Sequence, residues 1–335
     1  MIRTNRTSMK IITFFSVVIL GALAVWGALS ESRRLDTASE GFKSCSEQYP
    51  FLSDELDCGT INEKIEQVEG IDDEIEAYTN KEETAGNAEG ISVFFRDLDT
   101  RRWFGVNENA NFYPASLAKL PIAMMIYKTA EVNKRILDLE LLMTEKDLSL
   151  NDGQRYIPES SLEKEKSYPV RELVKRMLVY SDNAPVNPLL DASATLREPI
   201  FSDLGVYTMP DNDDPGRWSI TAKNYSNLFR ILYNASYLRP EYSDTILKQL
   251  SGSTFKNALA GGIPDDIRVA HKFGETSTKD GSTGKTSVVL NDCGIVYKKD
   301  APYILCIMTR GERYEELERI IREISEKVYR SNLEI

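Results

Sequence analysis

The chain has 335 residues, 41 % of them hydrophobic and 28 % charged, enough apolar material for one large core or two modest ones and too much for a disordered chain. Its formal net charge of −11 sets nucleic acid aside as a partner, because so acidic a surface repels phosphate backbones. With a single histidine, His271, any multi-histidine metal site is excluded, and a Ser-His-Asp triad would have only that residue to use.

Residues 1–10 form a basic tail carrying Arg3, Arg6 and Lys10. The uncharged run Ile11 to Leu29, closed by Glu31, is about as long as a bilayer core is thick, and reads as a transmembrane anchor. Basic residues ahead of it predict a cytoplasmic N-terminus and an extracytoplasmic remainder. A cleaved signal peptide is the competing reading, with Ala22-Leu23-Ala24 as its site, and would leave a secreted protein. Residues 30–59 are polar with scattered Pro and Gly and read as a stalk; Cys45 and Cys58 within it are spaced to close a short loop. Residues 60–335 make up the folded domain.

That domain opens with a helical pattern in which Ile61, Ile65, Val68, Ile75 and Tyr78 share a face, broken by the small and charged stretch Lys81 to Gly90. Ile91–Asp97 and Arg102–Val106 then read as two strands around the turn Leu98 to Arg101. From Ser116 to about Leu250 the periodicity is helical, interrupted by loops around Leu150 to Pro158 and Thr208 to Trp218. Strand patterns return at Ile267–Phe273, Thr286–Tyr297 and Tyr303–Met308, and an amphipathic helix with Leu317, Ile320, Ile321, Ile324 and Val328 in register closes the chain. Two isolated strands are marginal, so the strands at both ends are expected to share one sheet, with the helical block inserted into one discontinuous α/β domain. A hairpin turning at Lys298 to Ala301 pairs Tyr297 with Pro302 and puts Cys293 opposite Cys306, either bridged or simply packed.

Three short motifs carry the chemistry. In Ser116-Leu117-Ala118-Lys119 the serine and lysine share a helix face at a helix start, where the dipole and free N–H groups favour negative charge. A lysine buried there with a lowered pKa can take the hydroxyl proton. The same spacing recurs at Ser161/Lys164, Ser253/Lys256 and Ser282/Lys285; the apolar run Leu120 to Tyr127 distinguishes the first. Ser181-Asp182-Asn183 offers a hydroxyl relay and an amide, or, more plainly, a helix N-cap. Lys272-Phe273-Gly274, at a strand end, offers a positive charge for a substrate carboxylate and a glycine that lets a substrate backbone approach, or an ordinary edge lysine.

Taken together and in this order, S-x-x-K, S-D-N and K-x-G resemble the set found in class A β-lactamases and penicillin-binding proteins. The resemblance runs from about Ile61 to the C-terminus and includes Ser116 to Pro121, Asp292 to Val296 and Pro302 to Leu305. It implies a helical subdomain beside a five-stranded antiparallel sheet, with the site between them. It further implies Ser116 as nucleophile, Lys119 as its proton acceptor and Ser181 as the relay to the leaving nitrogen. Asn183 would contact a substrate amide, Lys272 and the residue at Phe273 its carboxylate, and the amides of Ser116 and Glu275 would form an oxyanion hole beside Gly274. The implied partners are a small-molecule substrate, either a β-lactam or a peptidoglycan peptide, and a membrane through the N-terminal helix. No cofactor, metal or nucleic acid is implied.

Two departures stand out. The glutamate that activates water for deacylation in class A β-lactamases, in an E-x-x-L-N pattern, has no match between Ala184 and Trp218. Glu198-Pro199 falls on the helix before the loop, which itself offers only Asp211, Asp213 and Asp214. Phe273 also stands where the family has threonine or serine; strand alternation can turn it away from Lys272 into the core with Val269. Acylation without ready hydrolysis is the behaviour of a penicillin-binding protein, and a non-catalytic cell-wall binding module is the alternative. Gly281 to Thr286 lacks the first glycine of a phosphate-binding loop, and Asp211 to Asp214 lacks the glycine and closing glutamate of a calcium loop.

Overall fold

The computed structural model describes residues 70–205, 209–210, 218–279 and 284–331. The expected anchor 11–29, the stalk with Cys45 and Cys58, and Asp211, Asp213 and Asp214 lie outside the described residues. Among the described residues no helix is long and apolar enough to cross a membrane.

In chain order the helices are α1 (Ile71–Thr84), α2 (Lys119–Val132), α3 (Glu145–Leu148), α4 (Val170–Val179), α5 (Val186–Ala192), α6 (Ala194–Asp203), α7 (Ala222–Tyr233), α8 (Pro240–Ser251) and α9 (Tyr314–Arg330). The strands are β1 (Gly90–Asp97), β2 (Trp103–Val106), β3 (Glu140–Leu142), β4 (Ser167–Pro169), β5 (Met209–Pro210), β6 (Trp218–Ser219), β7 (Val269–Lys279), β8 (Thr286–Val296) and β9 (Tyr303–Gly311). Five of them form one antiparallel sheet in the order β2-β1-β9-β8-β7, so strands from both ends of the chain do pair, through β1 and β9. The expected α/β architecture, a five-stranded antiparallel sheet with an inserted helical block, is the architecture observed. Short ribbons, β3 with β4 and β5 with β6, decorate that block.

The sheet has a core on each face. Toward the helical block, Phe94, Ala270, Cys293, Ile295 and Cys306 pack against Leu117, Leu120, Tyr225 and Phe229. Toward α1 and α9, Val93, Phe95, Leu305 and Ile307 pack against Ile75, Leu317, Ile320, Ile321 and Ile324. The predicted stripe of α9 is the buried one, each large side chain contributing about 1.5–3 kcal/mol by leaving water. The outer side of α9 is charged: Arg319 pairs with Glu82 at 2.5 Å and Glu316 at 2.9 Å.

Two boundaries move. Lys81 to Thr84 remain helical, because Glu82 is drawn inward by Arg319, and the chain leaves the helix only at Ala85 and Gly86, where Gly86 takes φ +74°. β7 does not end at Phe273 but runs to Lys279, pairing with β8 as far as Lys279–Thr286. The polar sequence Glu275 to Lys279 conceals that half of the strand, so Lys272 and Gly274 lie within it and not at its end. The hairpin register is as expected: Cys293 faces Cys306, and the two are joined in a disulfide.

Candidate active site

Ser116 sits in a one-turn 3-10 helix, Ala115–Ala118, immediately ahead of α2. Several buried anchors fix that turn. Asn291 of β8 donates to the Tyr113 carbonyl at 2.9 Å, and the Tyr225 hydroxyl donates to the Leu117 carbonyl at 2.9 Å. A Cβ at Gly274 would stand 2.5 Å from the Pro114 carbonyl oxygen and 3.0 Å from the Ser116 nitrogen. Only glycine lets β7 lie this close. The expected role of Gly274 is to admit a substrate backbone; in the structure it admits the turn that carries Ser116. Ala115 (φ 49°) and Ser181 (φ 56°) are both left-handed without being glycine, the strain that packed surroundings hold at a site.

Lys119 is 3 % exposed, and its Nζ joins the first two motifs. It donates to Ser116 Oγ at 2.9 Å, to the Ser181 carbonyl at 2.5 Å and to Asn183 Oδ1 at 2.5 Å, and lies 3.2 Å from Ser181 Oγ. Burial pushes its pKa down to about 7, against the opposing pull of Asp182 and Glu275. Here the lysine of the S-x-x-K spacing is buried against its serine, whereas Lys164 goes to Glu145 at 2.7 Å and Lys285 to Glu89 at 2.6 Å, both on the surface.

Ser181-Asp182-Asn183 is not a helix N-cap: α5 starts after Pro185. Asp182 instead holds the turn, accepting from Arg176 Nε at 3.0 Å, Asn151 at 2.8 Å and the Ala184 amide at 3.1 Å. The Arg176–Asp182 pair is buried, so removing one partner strands a charge. Asn183 completes the link to the loop before it, its amide nitrogen donating to the Leu150 carbonyl at 2.9 Å.

Lys272 is fully buried. Its Nζ donates to Ser181 Oγ at 2.9 Å and to the Phe273 carbonyl at 2.7 Å, so the Ser181 hydroxyl stands between two lysines. Burial first, and Lys119 second, hold the Lys272 pKa well below its usual value. Lys272 is therefore not an ordinary edge lysine: it is a buried donor to Ser181. Phe273 does join the core containing Val269, stacking on Phe255 at 4.2 Å and meeting Tyr156 edge-on at 5.4 Å. Yet it is not turned away from Lys272, whose Nζ lies 4.4 Å from its ring centre. Its side chain seals the lysine and offers a substrate carboxylate no hydrogen bond. Glu275 follows Gly274 along the strand, and its carboxylate accepts from the Arg155 amide at 3.0 Å and the Tyr314 hydroxyl at 2.8 Å.

His271 faces away from Ser116. It pairs with Asp292 at 2.8 Å in a fully buried couple on the α9 side of the sheet, where Asp292 also accepts from the Leu259 amide at 3.1 Å. A Ser-His-Asp triad is ruled out by geometry. Among the described residues no group of three or more His, Cys, Asp or Glu is placed to hold a metal ion. Glu198 is on α6, ahead of the loop, as its sequence position indicates.

Sequence reasoning did not find Asn151, Gln154, Arg155, Tyr156 or Arg176. Arg176 left a trace, a charge in the apolar stripe Leu173, Val174 and Met177. The others lie in an aperiodic loop whose partners are distant in the sequence.

A five-stranded sheet with an inserted helical block carries at their junction Ser116 beside Lys119 and Ser181 between Lys119 and Lys272. The chain belongs to the beta-lactamase enzyme family, whose family model matches residues 71–331. Solved structures agree in fold. PBP-A, in a mutant acyl-enzyme complex with penicillin G, superposes with a TM-score of 0.67 at 19 % identity, over 82 % of this chain and 100 % of that one. A β-lactamase from Xanthomonas campestris gives 0.66 at 18 %, over 78 % and 98 %. The TLA-1 extended-spectrum β-lactamase gives 0.65 at 20 %, over 77 % and 97 %. No curated protein matches the chain in sequence.

Proposed function

We propose that the protein is a membrane-anchored, extracytoplasmic serine hydrolase acylated at Ser116 by β-lactams or by D-alanyl-D-alanine-like amides. The observation that carries this reading is the 2.9 Å contact from Lys119 Nζ to Ser116 Oγ, made by a buried amine with a pKa near 7. The neutral fraction of Lys119 takes the Ser116 proton as Oγ bonds to the amide carbonyl carbon. The amides of Ser116 and Glu275 hold the developing oxyanion. Ser181, between Lys119 and Lys272, passes a proton to the leaving nitrogen as the C–N bond breaks. Asn183 exchanges its bond with the Leu150 carbonyl for one to a substrate amide.

Release of the acyl group is slow in this reading, because the sequence lacks a glutamate in the expected loop pattern. That favours a penicillin-binding type of enzyme over a β-lactamase. The uncharged run Ile11 to Leu29 supports anchoring, and the Cys293–Cys306 disulfide fits an oxidising compartment.

The test is intact mass of the full-length protein in detergent after incubation with penicillin G, beside Ser116→Ala. A lasting adduct absent from the variant supports the reading. An adduct that clears while the drug is consumed makes the protein a β-lactamase. No adduct and no drug loss sinks the proposal and leaves a non-catalytic cell-wall binding role.

A further inference from the structure

A neutral lysine amine has two N–H groups and one lone pair, and only the lone pair can take a proton from Ser116. The neighbours of Lys119 decide where that lone pair points. Two of them, the Ser181 carbonyl and Asn183 Oδ1, each 2.5 Å from Nζ, can accept but never donate, so they engage the two N–H groups. The lone pair is left to the serine hydroxyls, of which that of Ser116 is the nearer, at 2.9 Å against 3.2 Å for Ser181 Oγ. The aim of the base therefore depends on what holds these two carbonyl oxygens.

Both are held by the loop that follows α3. Gln154 Nε2 donates to the Ser181 carbonyl at 3.0 Å. Asn183 is fixed at two points. Its Nδ2 donates to the Leu150 carbonyl at 2.9 Å, which turns Oδ1 toward Lys119, and its backbone N–H donates to Asn151 Oδ1 at 2.8 Å. Asn151 is oriented in turn, because its Nδ2 donates to the buried Asp182 carboxylate at 2.8 Å. A carboxylate only accepts, so the Asn151 amide cannot turn over without losing that bond. Once Asn183 gives up the Leu150 carbonyl for a substrate, its backbone bond to Asn151 is the loop anchor that remains.

We propose that Asn151 and Gln154 are positioning residues for Lys119, each holding one of the two oxygens that keep its lone pair on Ser116 Oγ. The proposal rests on Ser116 being the nucleophile and Lys119 its base. The Asn151 side chain bonds to Asp182 and Asn183 and to neither Ser116 nor Lys119, so it acts only through Asn183.

The test is the rate of Ser116 labelling by a fluorophosphonate, which needs an activated serine and no recognition of a β-lactam. The Oγ–P bond forms, fluoride leaves and the hydroxyl proton passes to Lys119. Full-length Asn151→Ala is compared with the native protein across pH, following the rate constant and the final labelled fraction separately. The rate constant is expected to fall about tenfold, the order of one hydrogen bond, with the labelled fraction kept. An oriented carbonyl oxygen favours the charged amine, so loosening it should also move the midpoint of the rate–pH profile to lower pH, with Asp182, Glu275 and Lys272 still beside Lys119. Gln154→Ala, acting on the other oxygen, should shift the midpoint the same way with a severalfold loss of rate, and carries the test if Asn151→Ala does not fold. A loss confined to the labelled fraction, with rate constant and midpoint unchanged, makes these residues structural only and overturns the proposal. Penicillin G is run in parallel. Labelling that slows in the variants, with no penicillin adduct on the native protein, keeps the positioning role and overturns the substrate reading; no labelling of native Ser116 by either reagent overturns both.

Discussion

The nucleophile corner and the rim above it are built on opposite principles. In the corner, Ser116, Lys119, Ser181, Asn183 and Lys272 converge through hydrogen bonds between fixed elements, and each side chain is held by at least one other member. At the rim, Gln154, Arg155 and Tyr156 come from an aperiodic loop and lean on β7 and α9 through aromatic contacts and exposed ion pairs. A corner of this kind is preorganised, as proton transfer requires. A rim of this kind is held by contacts between residues far apart in the chain, so its stability rests on how α9 and β7 pack.

The largest expected effect separates the two by chemistry. Lys119→Ala removes the proton acceptor, and the acylation rate by a fluorescent penicillin should fall by about 10²–10⁴-fold, the usual worth of a general base. The contacts of the rim do not include Lys119, so the loss of its bonds to the Ser181 carbonyl and Asn183 should cost no more than about 1–3 kcal/mol of stability. A fall in rate matched by a large loss of stability would merge corner and rim into one structural unit. In the unmodified protein the same acylation rate should climb as pH rises through about 7, because burial favours the neutral amine that accepts the proton, and level off above. A rate independent of pH between about 5 and 9 would remove Lys119 from that role.

Phe273→Ala tests the rim from its seat. Deleting a ring that is 3 % exposed and stacked on Phe255 should destabilise the fold by about 3–5 kcal/mol in urea titration. The molecules that stay folded should still be acylated. Loss of acylation in the folded fraction would mean that Phe273 belongs to the corner after all. The smallest effect sharpens the comparison at its seam. Gln154→Ala removes the side chain that joins rim to corner at the Ser181 carbonyl, and should cost about 1 kcal/mol of stability with an acylation change of no more than severalfold. A loss as deep as that of Lys119→Ala would place Gln154 in the catalytic machinery.

Much of the corner can be read from the chain alone. Short motifs announce it because Ser116 and Lys119 are one helical turn apart, and Ser181 and Asn183 share one tight turn; local spacing is enough to put them together. The hairpin that faces Cys293 with Cys306 follows from period-two alternation and a turn, again a local matter, although whether the thiols bond is settled only by the register across the strands. Composition and the apolar stripe of α9 foretell a single core-forming domain.

What the sequence hid are the consequences of proximity between distant residues. β7 continues past Phe273 because β8 offers it partners, although its last residues are polar. Lys272 reads as a strand-end charge and lies mid-strand as a buried donor, because β7 runs on past it and Phe273 and Ser181 close around it. The rim depends on Arg155 meeting Glu315 and Tyr156 meeting Glu318, pairs separated by 160 and 162 positions, which no periodicity records. Spacing along the chain therefore determined which groups meet at the site. Only the folding of α9 and the inserted loop onto one edge strand decided how they are covered, because burial is a property of all the neighbours at once and not of any one segment.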